Sequence, residues 1–167
     1  ATTPTNNEFF IYMDTHSKLT LEGVGMKVPE KHQSAIGMSA SELSIRNSTI
    51  FSKIDLSEGS KLTLENVQIE KFGNNTIHAK DSEVIAKNST ITGGDLENDF
   101  PPVWLRNVIW ESENCKIELP TGTGACLDNN VQFNSDSDRM TSINSFNSMI
   151  RAHQATFTEF LCVYEES

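Results

Sequence analysis

Asp55, His78 and Lys80 are side chains of the types that move protons, and the chain spaces them so that a coiling backbone could gather them. A carboxylate beside an imidazole orients the ring and leaves one ring nitrogen to act as acid or base, and an ammonium nearby neutralises charge on a substrate. Asp55 and His78 lie 23 residues apart. They meet only if the chain returns to the same place about every twenty residues. Tyr12, Lys53 and Glu118 fall on the same candidate surface when the chain is aligned on such a repeat. Trp104 follows the stretch FPP (100–102) and reads as an outward aromatic of the kind that stacks on sugars or anchors a protein contact. If the protein is an enzyme, Asp55, His78 and Lys80 are its catalytic candidates. If it only binds, the binding candidates are Tyr12, Lys53, Asp55, His78, Trp104 and Glu118.

The required returns are written in the chain. Seven phrases share one form: LTLEGVGM (19–26), LSIRNSTI (43–50), LTLENVQI (62–69), VIAKNSTI (84–91), VWLRNVIW (103–110), ACLDNNVQF (125–133) and INSFNSMI (143–150). Each runs through alternating apolar residues to a Gly or Asn, then into a second short apolar strand. The punctuating residues are Gly23, Asn47, Asn66, Asn88, Asn107, Asn129 and Asn147, at steps of 24, 19, 22, 19, 22 and 18. A period near twenty with strand alternation predicts a solenoid. Gly and Asn both tolerate the left-handed backbone conformation, so one such residue can turn the chain sharply between strands. Stacked as one column, these seven would form a buried ladder of side-chain hydrogen bonds.

A third strand is expected about eleven residues upstream of each corner: Ile11/Met13, Ile36/Met38, Ile54/Leu56, Ile77/Ala79 and Ile117/Leu119. It is weak in the fifth coil, where GGDLENDFPP (93–102) reads as a loop, and absent from the seventh, where NSDSD (134–138) is polar. The outward residues test the alignment independently. One column runs Lys18, Glu42, Lys61, Glu83; another runs Glu22, Arg46, Glu65, Lys87, Arg106, Asp128. Signs alternate throughout except from Lys87 to Arg106. Opposite charges in register on strands about 4.8 Å apart contribute ~0.2–1 kcal/mol per pair. A further outward column, Gly25, Thr49, Gln68, Thr90, Ile109, Gln132 and Met149, would present a flat face, and Ile85 and Phe146 join Trp104 as exposed apolar residues.

Three strands per coil with an Asn ladder at a tight corner resemble the right-handed parallel β-helix of the pectin-lyase-like superfamily, over residues 9–150. SKLTLE (17–22) and GSKLTLEN (59–66) are more weakly similar to autotransporter passenger repeats. The resemblance implies an all-β, single-domain β-solenoid of about seven coils. It also implies a substrate groove along the outer face of the first strand, where Tyr12, Gly37, Asp55, His78 and Glu118 align, flanked by Lys53, Lys116 and Lys80. Two parts of the lyase pattern are missing there: a converging set of acidic residues for calcium, and an arginine.

Composition narrows the partners. A net charge of −10 and an isoelectric point of about 4.8 exclude a general affinity for nucleic acid or anionic membranes. No apolar run approaches the length of a membrane span. Residues 1–8 read as a flexible N-terminal segment, 9–150 as the β-helix, and 151–167 as a strand pair or short helix capping the end. Cys115 and Cys126 flank the turn PTGTG (120–124) as a disulfide across one corner would; the alternative is three reduced cysteines, with Cys162 in the terminal core. Sequons stand at Asn47, Asn74 and Asn88, but a buried ladder would leave only Asn74 open to modification. His16, His32, His78 and His153 lack metal-ligand spacing, and no cofactor motif is legible. The functional expectation is a non-catalytic, secreted or cell-surface β-helix module that binds a glycan or a protein. The alternatives are a carbohydrate-active enzyme or a segment of a larger fibre, either a homotrimer or a chain with a neighbouring domain.

Overall fold

A computed structural model describes residues 10–27, 36–95, 97, 100–118, 123–158 and 162–164. Within them the chain forms eighteen strands and no helix, joined by parallel pairing into one continuous β-solenoid of about seven coils. Three faces result. Sheet I stacks Ile11–Met13, Ile36–Ser39, Ile54–Ser57, residues 77–80, residues 103–106, Ala125–Asp128, Ile143–Phe146 and Cys162–Tyr164. Sheet II stacks Lys18–Glu22, residues 42–46, 61–65, 83–87 and 109–113, then Gln132–Asp136 and Met149–His153. Sheet III stacks Gly25–Lys27, residues 48–50, residues 67–72, Thr90–Gly94, Lys116–Glu118, Arg139–Met140 and Thr156–Phe157. The predicted segment 1–8 and the turn residues 120–122 lie outside the described residues.

Strand alternation fills the interior. Leu43, Ile45, Leu62, Leu64, Ile69, Ile77, Trp110 and Phe133 are among the fully buried side chains of one continuous apolar core. Trp110 and Phe133 stack on neighbouring rungs at 5.6 Å between ring centroids. Two strands beyond residue 155 continue the stack: Thr156–Phe157 pairs with Arg139–Met140, and Cys162–Tyr164 pairs with Asn144–Phe146.

All seven punctuating residues have positive φ, from 45° at Asn147 to 69° at Asn129. They do not form one column. Gly23, Asn47, Asn66 and Asn88 turn sheet II into sheet III, and that corner continues through Asn114, Ser137 and Gln154. Asn107, Asn129 and Asn147 turn sheet I into sheet II, below which stand His16, Ala40, Glu58 and Asp81. Each coil therefore has two left-handed corners. The step from Asn88 to Asn107 crosses from one corner to the other, because both are built from the same strand–Asn–strand phrase. The true rung above Asn88 is Asn114, whose Nδ2 donates to Asn88 Oδ1 at 2.8 Å. Asn66 donates likewise to Asn47 Oδ1 (3.1 Å), and Asn147 to Asn129 Oδ1 (2.6 Å).

Two expectations change with the register. Residues 103–106 and 125–128 lie on sheet I, and residues 116–118 lie on sheet III. Ladder side chains are also exposed rather than buried, since Asn47, Asn66, Asn88 and Asn107 all face solvent. The buried partner is the residue after the corner. Ser48, Ser82 and Ser89 point inward and donate back to the carbonyls of Arg46, Lys80 and Lys87. Ser48 and Ser89 accept the N–H of Val24 and Val67 on the rung below. Asn-Ser is thus the corner signature, and it writes the sequons at Asn47 and Asn88.

The one irregularity in the charge columns marked the register change. Lys87 pairs with Glu113 (3.3 Å), which restores the alternation, and Arg106 pairs with Asp128 (2.6 Å) one rung above it on sheet I. Lys18–Glu42 (3.1 Å) and Lys61–Glu83 (3.6 Å) form as expected. The polar stretch 134–138 forms the end of a sheet II strand and a corner around the fully buried Asp138. Its carboxylate accepts from Ser112 Oγ (2.5 Å), Ser135 Oγ (2.6 Å) and Cys115 N (2.6 Å), while Ser112 accepts from Trp110 Nε1 (2.7 Å). Three donors offset the cost of burying this carboxyl group.

Two stability predictions result. Asn66→Leu will destabilise by ~2–3 kcal/mol in urea denaturation, from left-handed strain plus one lost hydrogen bond. Asn66→Gly, which keeps the φ, will cost distinctly less, and Lys61→Glu no more than about 1 kcal/mol. Equal losses for Asn66→Leu and Lys61→Glu would contradict the corner account. Asp138→Ala will cost several kcal/mol, roughly 1–3 for each buried donor stranded, and Asp138→Asn less.

Candidate functional site

The outer face of sheet I brings the chemistry together. In register, its outward column runs Tyr12, Gly37, Asp55, His78, Trp104, Cys126 and Asn144. Strand pleating points every second side chain outward, and the parallel stack puts equivalent positions on neighbouring rungs. Asp55 and His78 are direct neighbours: His78 Nδ1 lies 2.8 Å from Asp55 Oδ1. Lys53 Nζ lies 3.3 Å from the same oxygen, with its side chain only 12% exposed. The indole of Trp104 stacks on the imidazole of His78 at 4.6 Å between centroids and 25° between planes. Arg106 sits with its guanidinium carbon 5.4 Å from the Trp104 ring centroid and gives two N–H groups to Asp128 Oδ2.

A loop makes this column one wall of a cleft. Gly93 and Gly94 end a sheet III strand, and Asp95 and Phe100 exchange two backbone hydrogen bonds as a small antiparallel bridge. Gly94 takes φ +88°, and a Cβ there would lie 2.4 Å from the Phe100 carbonyl oxygen, so glycine is required for the loop to fold back. The loop returns as Phe100–Pro101–Pro102 beside His78. Asn75, buried beneath it, donates from Nδ2 to Pro101 O at 2.6 Å. The resulting cleft of about 350 Å³ is lined by Asn75, His78, Phe100, Pro101, Trp104, Thr123, Cys126 and Asn144.

The remaining sequence candidates scatter. Glu118 lies on sheet III opposite Thr92 and pairs with Lys116 at 3.0 Å, away from His78. Tyr12 is exposed two rungs from Asp55, with Gly37 between. Lys80 is exposed on the His78 strand, opposite Arg106; the lysine at the dyad is Lys53. Ile85 lies on sheet II opposite Glu111, and Phe146 lies on sheet I opposite Asp128. The flat outward column divides too: Gly25, Thr49, Gln68 and Thr90 align on sheet III, whereas Ile109, Gln132 and Met149 align on sheet II. Asn75, Phe100, Thr123, Cys126 and Asn144 escaped the sequence reading. Correct register from the fifth coil onward would have placed Cys126 and Asn144 above Trp104. Phe100 and Thr123 depend on loop geometry that periodicity does not carry.

Chemically, Asp55 can orient the His78 ring through Nδ1, which leaves Nε2 as the ring nitrogen for proton transfer or hydrogen bonding. Asp55 is the carboxylate at this end of the column, and none of the residues lining the cleft carries a second. Among the described residues no set of three or more His, Cys, Asp or Glu side chains converges to hold a metal ion, and no helix is long and apolar enough to cross a membrane. Cys115 and Cys126 are not bridged. Cys115 is buried at the sheet II–III corner beside Asp138, and Cys126 is on sheet I, so the two belong to different faces. Protein-family models, curated proteins and solved structures give no match to this chain.

Burial pushes the Cys115 thiol up to about 11. The thiolate is the reactive form, so in the folded protein Cys115 will resist iodoacetamide at pH 8 and react once the chain is unfolded. Peptide mass spectrometry reads the difference; rapid native labelling at Cys115 would refute its buried position.

Proposed function

We propose that the protein is a non-catalytic, secreted or cell-surface β-helix module that binds a glycan on the outer face of sheet I. The observation that carries this reading is the cleft itself: an aromatic and proline wall of Phe100, Pro101 and Trp104 faces side-chain amides, a hydroxyl and an imidazole. Apolar ring faces beside convergent polar groups suit a sugar, which has both apolar faces and equatorial hydroxyls. The position also agrees with the groove implied by the pectin-lyase-like resemblance, a kinship that is part of this proposal. A rigid stack of strands supplies the preorganisation that limits the entropic cost of binding.

The 2.8 Å Asp55–His78 contact favours a second reading, a carbohydrate-active enzyme with His78 as base. Glycoside hydrolysis ordinarily uses two carboxyl groups flanking the bond, and the cleft offers no such pair among its lining residues. Affinity electrophoresis through gels containing individual polysaccharides, paired with an assay for new reducing or unsaturated ends, separates the two readings. At least one polysaccharide will retard the protein, Trp104→Ala will abolish the retardation, and no ends will appear. Ends that accumulate with the wild type and vanish in His78→Ala would establish the enzyme instead.

A further inference from the structure

We infer that the sugar taken by the sheet I cleft is a neutral, hydroxyl-rich oligosaccharide and not a uronate or sulfated chain; this names the ligand class of the glycan-binding reading above and rests on it. The hydrogen-bonding groups that the cleft leaves unspent select the ligand. His78 Nδ1 faces a carboxylate oxygen, which only accepts, so Nδ1 carries a proton and Nε2 is the ring nitrogen left to a ligand. Asn75 spends one amide hydrogen on Pro101 O, and Asn144 spends one on Thr123 Oγ1 at 3.0 Å. Both side-chain carbonyl oxygens remain as acceptors, and each amide keeps its second hydrogen as a donor. Thr123 Oγ already accepts, which leaves its hydrogen to donate. The set is mixed, with two amide oxygens that only a ligand carrying donors can satisfy. Sugar hydroxyls donate and accept at once; carboxylate and sulfate oxygens only accept.

Charge points the same way. Two cations beside the column are committed, Lys53 to Asp55 and Arg106 to Asp128, and the exposed Lys80 on the His78 strand is not among the residues lining the cleft. None of the residues lining the cleft is a lysine or arginine. An anionic sugar would lose its hydration against acceptor atoms with no cation to compensate. The net charge of −10 adds a long-range penalty. With Phe100 45% exposed, an apolar surface is available for a ring face to cover. A volume of about 350 Å³ is at the small end for ligand clefts, suited to a short run of rings.

Isothermal titration calorimetry of the full chain with cellohexaose, xylohexaose, mannohexaose and maltohexaose, against hexagalacturonate, tests this. At least one neutral hexasaccharide will bind about tenfold or more tightly than hexagalacturonate, and His78→Phe and Asn144→Leu will each weaken it by about tenfold. Asn144 is a half-buried outward residue of sheet I, so its variant keeps the test valid should His78→Phe unfold the protein. Preference for hexagalacturonate, lost in Lys53→Met, would overturn the neutral-sugar inference while leaving glycan binding standing. Binding of none of the five, with retardation by a larger polysaccharide still present in the gel, would likewise overturn the inference alone. Binding of none in either measurement would overturn both.

Discussion

Every coil of this protein depends on backbone that turns at positive φ. A flat rung of parallel strands can close only if the chain bends sharply between faces, and a single left-handed residue does this without a loop. The site tolerates Asn, Asp and Gly at low cost, and other L residues at about 1–2 kcal/mol. Asn is favoured because its short amide also reaches the rung below, as Asn66 does to Asn47 and Asn147 to Asn129. An inward serine immediately after the corner completes the turn by satisfying backbone groups that would otherwise be stranded in the core. The corner is thus a two-residue device, one residue for conformation and one for buried polarity.

Once the corners hold, parallel stacking transmits position from rung to rung. Equivalent residues lie one strand spacing apart, which turns sequence separations of about twenty into direct contacts. Alternating charges then line up as exposed pairs that contribute little individually but penalise a slipped register through like-charge contacts. The same transmission brings Asp55 against His78 and His78 against Trp104, although 23 and 26 residues separate them in sequence. A rigid scaffold sets the outward column, and one insertion of irregular chain, walled by Phe100 and Pro101, converts it into a cleft. Regular structure supplies precision there, and the loop supplies shape.

Among the described residues, one buried polar side chain is a carboxylate. Asp138 is sealed from solvent yet held by two serine hydroxyls and a backbone amide, and Trp110 is tied to the same cluster through Ser112. Such a cluster cannot shift by a rung without stranding several groups at once. It therefore acts as a register lock for the later coils, where the apolar pattern is interrupted by NSDSD.

Read alone, the sequence determined the solenoid, its strand alternation, the positive φ of all seven punctuating residues and the Asp55–His78 adjacency, because each is a periodic property of local chain. It could not assign those residues to a corner. Both corners obey the same conformational rule, so Asn107 after Asn88 looks like the next rung when it is the other turn of the coil. Tertiary pairing alone decided that, by the register of residues 103–113 on 77–87. It moved Glu118 to another face, placed Trp104 on His78, and exposed the ladder amides. The cleft was beyond local reading for the same reason: its walls come from strands on several rungs and from a loop whose path is set by contacts, not by period.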